Sequence, residues 1–184
     1  MFSLGDLRYR NIIEKVTNMI IREFEDRDVI EVAKLSRKIF KKFTRSDYFD
    51  KSNDLDKEGI QGTLNFFDTE KRSVKEIIEC FKSKSIFYVA ENDSKIIGMI
   101  RGTSQNISSL YIDKKEHKKG IGTKLLKKYE EKAIKQGSDL LTLESTIYAM
   151  PFYQKMGFKK MTDIVNSNGM KAYIMEKTLS RKNF

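Results

Sequence analysis

Cysteine and proline are nearly absent from this chain, which contains one of each, Cys80 and Pro151. A single cysteine excludes a disulfide within the chain and leaves no pair of thiols for a CxxC metal site, so no metal site is predicted and we expect a reducing, cytoplasmic setting. The 184 residues also contain no proline-rich linker, no internal repeat and no low-complexity tract. These absences predict one domain, and the length suits a sizeable core.

Long apolar runs are missing as well, since none approaches the roughly 18 to 20 residues that a membrane span needs. Residues 1–18 mix charges with isolated apolar side chains and lack the apolar centre of a signal peptide. We therefore expect no membrane partner. Met19, followed by the apolar "IIREF", resembles a second beginning, which predicts an N-terminal extension over 1–18 and a folded domain over 19–180.

The formal net charge is +10, which favours anionic partners but equally fits a lysine-rich proteome. No nucleic-acid-binding motif is present, and aromatic residues are not interleaved with the basic residues. The sequence therefore predicts no nucleic-acid partner.

Hydrophobic periodicity predicts alternating strands and helices. A capping box, "SVKE", opens one short helix, and a turn at "NDS" joins two strands in a hairpin. The predicted strands are 19–24, 86–92, 95–102, 107–113, 139–145, 158–161 and 171–179, and the predicted helices are 26–43, one opening at 73, one reaching about Gln136, and one within 148–157. Residues 44–69 are predicted to form a variable helix-and-loop segment. This order predicts an α/β or α+β domain with a mixed sheet and helices on both faces.

The stretch "SSLYIDKKEHKKGIGTKLLKKYEEKA" places Gly120 and Gly122 between a predicted strand and a predicted helix. The first N–H groups of a helix lack intrahelical partners, and the helix dipole adds positive charge there. Glycines remove side chains that would keep a ligand away from those amides. Thr123 adds a hydroxyl, and positive charge comes from Lys118, Lys119 and Lys124. Such a loop suits a diphosphate.

Two phosphate-binding motifs fail at this loop. A dinucleotide-binding GxGxxG needs a third glycine where Leu125 stands, and the spacing after Gly120 does not fit GxxxxGK followed by Ser or Thr. Two glycines alone leave open a helix start with incidental glycines.

Two motifs in the correct order give the chain a family resemblance. "LYIDKKEHKKGIGTKLL" resembles the acetyl-CoA signature of the GNAT superfamily of N-acetyltransferases, with Gly120 and Gly122 at its small positions. His117 departs from the family pattern, which has Gln or Arg there. The second motif, "AMPFYQKMGFKK", is similar to the family's late helix-strand signature at Ala149, Phe152, Tyr153, Gly157 and Phe158. With a weaker match at "AYIMEKTL", the resemblance runs from about Met19 to Leu179.

The resemblance implies a single-domain GNAT fold, with a mixed, mostly antiparallel sheet splayed between its fourth and fifth strands. It implies an N-acetyltransferase that moves an acetyl group from acetyl-CoA (coenzyme A) to a primary amine by direct attack. The implied cofactor-binding residues are Leu110, Tyr111, Ile112, His117, Lys118, Lys119, Gly120, Ile121, Gly122, Thr123, Lys124, Ser145 and Phe152.

Two residues are candidates for the chemistry. Tyr153 is the predicted acid toward the departing thiolate, and the alternative is a core aromatic residue beside Phe152. Glu144 is the nearest acidic candidate for a base, because the position where some family members have a glutamate holds Asn106. A strand-end structural carboxylate or a water-relayed deprotonation remain alternatives. Cys80 is predicted to be a packing residue.

The absence of a clear base and the unusual His117 also fit a second function, a CoA- or acetyl-CoA-binding sensor without turnover. The predicted acceptor is a small-molecule or peptide amine, and the basic charge favours one that also carries carboxylates. Its specificity is expected to come from residues 44–69 and 163–169. Either a monomer or a homodimer fits the sequence.

Overall fold

The computed structural model describes residues 19–43, 54–82, 86–167 and 170–180, so the predicted extension 1–18 lies outside the described residues. The strands are β1 (Met19–Glu23), β2 (Ile86–Asn92), β3 (Lys95–Gly102), β4 (Asn106–Ile112), β5 (Leu140–Thr146), β6 (Lys159–Lys160), β7 (Val165–Ser167) and β8 (Met170–Thr178). The helices are α1 (Val29–Phe43), α2 (Asp54–Phe66), α3 (Val74–Lys82), α4 (Ile121–Lys135) and α5 (Met150–Lys155). Within this described part, no helix is long and apolar enough to cross a membrane.

The strands form one sheet in the order β1-β2-β3-β4-β5-β8-β6, with β7 paired to β8. Only β4 and β5 pair in parallel, and the other neighbours are antiparallel. One face packs against Leu125 and Tyr129 of α4, and the other packs against Val32 of α1 and Phe81 of α3. The predicted mixed, mostly antiparallel sheet with helices on both faces is confirmed.

Local sequence signals produced the expected local structures. The Ser73 N–H donates to Glu76 Oε2 at 2.9 Å and the Glu76 N–H donates to Ser73 Oγ at 3.3 Å, which is the predicted capping box. Asp93 and Ser94 turn the β2–β3 hairpin with φ angles of 49° and 60°. The periodicity did not predict β7, because a strand of three residues is too short to show alternation.

The sheet splits between β4 and β5. These strands pair only at Asn106 with Thr142 and at Ile107 with Leu143, although both continue beyond those residues. The paired end is held by the Thr142 N–H, which donates to Gln105 O at 2.9 Å. The predicted splay between the fourth and fifth strands is therefore confirmed.

A β-bulge lies at the start of the split. Arg101 of β3 pairs with Ser109, whereas Gly102 pairs with Ile107, so Ser108 is one extra residue on β4. A bulge bends its strand and increases its twist. β4 leaves β5 directly after this bulge.

Gly102 is expected to be irreplaceable at the paired end of the split. A Cβ at this position would collide with the carbonyl oxygen of Asn106 and the hydroxyl of Tyr129. That hydroxyl is itself fixed, because it donates to Thr103 O at 2.6 Å and lies 2.9 Å from Asn106 O. Overpacking of this kind costs about 1–3 kcal/mol, so Gly102→Ala should lower the free energy of unfolding by at least that much in a urea titration.

Gly62→Ala is the matched control, because Gly62 lies in α2 with no atom within 4 Å of an added Cβ. Alanine is favoured over glycine in a helix by about 1 kcal/mol, so this variant should be as stable as the wild type or more stable. Equal stability of Gly102→Ala and the wild type would contradict the close packing at Gly102.

Candidate functional site

Two cavities of about 580 Å³ each meet in the opening between β4 and β5. The loop cavity lies against the glycine loop and the first turn of α4, and the opposite cavity lies on the sheet face that carries α1 and α3. Four residues line both cavities: Leu110, Tyr111, Ala149 and Tyr153. A ligand in one cavity can therefore reach a ligand in the other through the gap in the sheet.

The first turn of α4 presents free amides to the loop cavity. Gly120 is the N-cap with a φ of 78°, in the left-handed region, and the Lys124 N–H makes its bond to Gly120 O at 3.0 Å. The N–H groups of residues 121–123 precede that bond and have no intrahelical partner. Because α4 is 15 residues long, its dipole adds positive charge at this end. This wall of the loop cavity therefore has the free amides and the positive helix end that suit an anion.

The two glycines of the loop have different physical roles. A Cβ added at Gly120 would meet nothing within 4 Å, so its positive φ is what favours glycine there. A Cβ added at Gly122 would lie 3.4 Å from Cζ of Phe152. Gly122 therefore lets the ring of Phe152 on α5 approach the loop.

His117 turns back onto β4. Its Nε2 lies 3.1 Å from the carbonyl oxygen of Ile112, and the ring lines the loop cavity. Because a carbonyl only accepts, Nε2 carries the proton in this contact, and Nδ1 remains for another partner.

The free edge of β4 forms another wall. The Asp113 N–H donates to Ile97 O of β3 at 2.8 Å. Because backbone N–H and C=O groups point to alternate sides along a strand, those of Leu110 and Ile112 point away from β3. Past Ile107, no described strand pairs with that edge. A ligand in the gap can hydrogen bond there in place of a strand.

Not every predicted cofactor-binding residue lies on the loop cavity. Those that line it are Leu110, Tyr111, Ile112, His117, Lys118, Gly120, Ile121, Gly122, Thr123 and Phe152. Lys119 instead forms an ion pair with Glu116 at 2.9 Å, and Lys124 is exposed away from the cavity. Ser145 is buried, with its hydroxyl donating to Thr146 O at 2.9 Å.

Tyr153 lies where the two cavities meet. Its ring packs edge-on between Phe152 and Phe158, with centroid distances of 5.1 and 5.6 Å. Burial raises the pKa of Tyr153, and the nearby Tyr111 raises it further. The phenol is therefore neutral at physiological pH and carries its proton.

The opposite cavity contains two charged side chains among its described lining residues, Arg101 and Glu144. Glu144 projects from the exposed face of β5, while its neighbours Leu143 and Ser145 face the core. Arg101 is 8% exposed. The sequence patterns singled out Glu144 and missed Arg101, although a lone charge in the otherwise apolar "IIGMIRG" was a visible signal.

The split sheet, the exposed amides at the start of α4 and the two adjoining cavities define an α/β protein with an open central gap. A family model described as an acetyltransferase (GNAT) domain matches residues 51–179. The chain belongs to the GNAT acetyltransferase family.

Solved structures share this fold. The PaiA N-acetyltransferase from Thermoplasma acidophilum, in complex with coenzyme A, is 24% identical over 87% of this chain and 98% of its own, with a TM-score of 0.64. An N-acetyltransferase from Rhodopseudomonas palustris is 18% identical over 89% of this chain and 97% of its own, with a TM-score of 0.68. An N-acetyltransferase from Staphylococcus aureus is 17% identical over 89% of this chain and 100% of its own, with a TM-score of 0.66. No curated protein sequence matches the chain significantly.

The buried phenol predicts a pH dependence of stability. Because burial raises the pKa of Tyr153 above the value of about 10 in the unfolded chain, the folded state holds this proton more tightly. The resulting stabilisation is fully present below pH 10 and is lost as the pH rises further, by up to about 1.4 kcal/mol per pH unit. Urea titrations above pH 10 should show a shallower loss for Tyr153→Phe than for the wild type.

Tyr148→Phe controls for the substitution itself, since Tyr148 is 55% exposed, and it should keep the wild-type slope. The same slope in Tyr153→Phe and the wild type would show that the phenol is not shielded from water.

Proposed function

We propose that the chain is an N-acetyltransferase that uses acetyl-CoA and transfers the acetyl group to a primary amine by direct attack. The observation that carries this proposal is the meeting of the two cavities at Tyr153, in the gap between β4 and β5. Family membership and the coenzyme A in the PaiA structure support it.

The loop cavity fits coenzyme A in its charge and its shape. The free N–H groups of residues 121–123 and the ammonium of Lys118 would hold the diphosphate. Leu110 and the N–H of Ile112 would hydrogen bond the pantetheine arm along the edge of β4 that has no partner strand among the described residues. Because His117 Nε2 is hydrogen bonded to Ile112 O, the imidazole ring would lie beside the pantetheine arm, and its Nδ1 could hydrogen bond to the arm.

Acetyl-CoA supplies an activated thioester, whose carbonyl carbon a neutral amine attacks with loss of the thiolate. Tyr153 would donate its phenolic proton to that thiolate, since it lines the loop cavity and remains protonated, and the proton that the attacking nitrogen loses as the amide forms would return to the phenolate. The N–H of Leu110 faces the gap and would stabilise the negative charge that develops on the carbonyl oxygen.

The amine would enter through the opposite cavity. Glu144 lines that cavity, and its carboxylate would accept a proton from the incoming ammonium, directly or through water. The acceptor would be a small-molecule or peptide amine. Lys119, Lys124 and Ser145 lie off the cavity walls and would affect coenzyme A binding only indirectly.

Tyr153→Phe tests the acid. Losing a general acid lowers the rate by about 10²–10⁴-fold, so thiol release from acetyl-CoA with a panel of amines should fall by this factor in kcat. Calorimetric binding of coenzyme A should be unchanged, because the hydroxyl is expected to act only on the leaving group.

A full rate in Tyr153→Phe would remove Tyr153 from the chemistry. Coenzyme A binding by the wild type without thiol release from any amine would favour the non-catalytic sensor instead. Absence of coenzyme A binding would overturn both functions.

Gly122→Val tests the diphosphate wall. The valine Cβ would already be 3.4 Å from Phe152, so its methyl groups would displace the ring or block the amides. With an overpacking penalty of about 1–3 kcal/mol, coenzyme A affinity should fall roughly 5- to 150-fold in calorimetry. Gly62→Ala, which changes a glycine that does not line the loop cavity, should bind coenzyme A as the wild type does. Unchanged affinity in Gly122→Val would place the diphosphate elsewhere.

A further inference from the structure

Arg101 is a buried cation that pairs with no carboxylate among the residues that the structure describes. It is 8% exposed, and its Nε and Nη1 are enclosed without a hydrogen-bond partner. Its guanidinium lies over the ring of Phe81, with 5.0 Å between the guanidinium carbon and the ring centroid. No ion pair joins it to a carboxylate in the described part of the chain.

This arrangement is unfavourable for the protein alone. Buried arginine is nearly always paired, and enclosed donors without partners are rare in native structures. The Phe81 ring interacts with one face of the guanidinium but accepts none of its in-plane hydrogen bonds. The ion pairs of Arg22 with Asp28 and of Arg37 with Asp68 show how arginine is paired elsewhere in this fold.

The place of Arg101 indicates what would pair with it. Arg101 lines the opposite cavity, through which the amine would enter under the proposed function. On the same cavity are Glu144, the hydroxyl-bearing Ser108 and Ser109, and Tyr153 at the border with the loop cavity. Among its described lining residues, the cavity thus contains one cation, Arg101, and one carboxylate, Glu144. These charges are complementary to the carboxylate and the ammonium group of an amino acid.

We propose that Arg101 binds a carboxylate of the acceptor, so that the substrate is an amine that also carries a carboxylate, as in an amino acid or a short peptide. The proposal rests on the proposed function for the amine half of the substrate. The planar fork of a guanidinium matches the two oxygens of a carboxylate, and burial in the cavity strengthens the contact.

The sheet sets the separation between the two ends of such a substrate. Arg101 on β3 and Glu144 on β5 project from the same face, with β4 between them. Neighbouring strands lie about 4.8 Å apart, so the two strand positions are about 10 Å apart where the strands pair, and farther apart once β4 and β5 separate. The carboxylate would lie against β3, and the amine would lie toward the gap and Tyr153.

Paired acceptors test the proposal. Thiol release would be measured with amino acids and dipeptides and with the amide of each, which keeps the amine and removes the charge. A hydrogen bond to a charged group contributes about 1.5–3 kcal/mol, so the wild type should favour the acids by roughly 10- to 150-fold in kcat/KM. Arg101→Met should lose this preference, because its kcat/KM should fall more with the acids than with the amides.

Arg72→Met is the matched control. Arg72 also lies over a phenylalanine ring, with its guanidinium carbon 4.9 Å from the centroid of Phe66, but it is not part of the cavity lining. This variant should keep the preference for acids. Arg101→Lys, which keeps the charge and loses the fork, should show an intermediate preference.

Thermal unfolding separates binding from a structural role. Removing an unpaired buried charge should leave the melting temperature of Arg101→Met unchanged or raise it. The proposal would be overturned if Arg101→Met were strongly destabilised, Arg101→Lys were as stable as the wild type, and both variants kept the preference for acids. That result would show that Arg101 stabilises the fold and does not bind the acceptor.

Calorimetry in the presence of coenzyme A gives a readout independent of turnover, with each amino acid and its amide as probes. Tighter binding of the acids by the wild type but not by Arg101→Met would support the carboxylate site even if no amine released thiol, in which case only the proposed transfer would fail. Equal binding of acids and amides would overturn the carboxylate site even if turnover were found. A preference for phosphoethanolamine over the amino acids would also overturn the carboxylate assignment.

Discussion

The separation of β4 from β5 after two residue pairs is the constraint on which the rest of this structure depends. Two strands of one sheet would normally continue to pair, because unpaired backbone groups are unfavourable when they are buried. Here the paired end is held by Tyr129 and by the bond from Thr142 to Gln105, while the bulge at Ser108 bends β4 away. The same few contacts therefore open the gap and keep the rest of the sheet closed.

Unsatisfied polar groups collect around that gap. Among the described residues, the first amides of α4 have no intrahelical partner, the edge of β4 beyond Ile107 has no partner strand, and Nε and Nη1 of Arg101 have no hydrogen-bond partner. Polar groups that the fold leaves without hydrogen-bond partners are expected at functional sites, where a ligand can supply the partner. Their concentration on two adjoining cavities explains how an acetyl donor and an amine acceptor would meet at Tyr153.

Sequence reasoning succeeded where the signal was local. The capping box at Ser73, the hairpin turn at Asp93 and the helix end near Gln136 depend on residues close in the chain, and all three formed as expected. The motifs around Gly122 and Tyr153 gave the family. The partner of His117 was not predictable, because its contact with Ile112 O depends on how the loop folds back onto β4.

By itself, the sequence determined the order of elements apart from β7, the glycine loop that begins α4, and membership in a family with a split sheet, because each is encoded over a short span. Only the tertiary structure decided which side chains share a cavity. Glu144 and Ser145 are adjacent in the chain, yet alternation along β5 directs Glu144 into the opposite cavity and Ser145 into the core. Arg101 joins Glu144 from another strand, because pairing across β4 brings positions 43 residues apart in the sequence onto one face of the sheet.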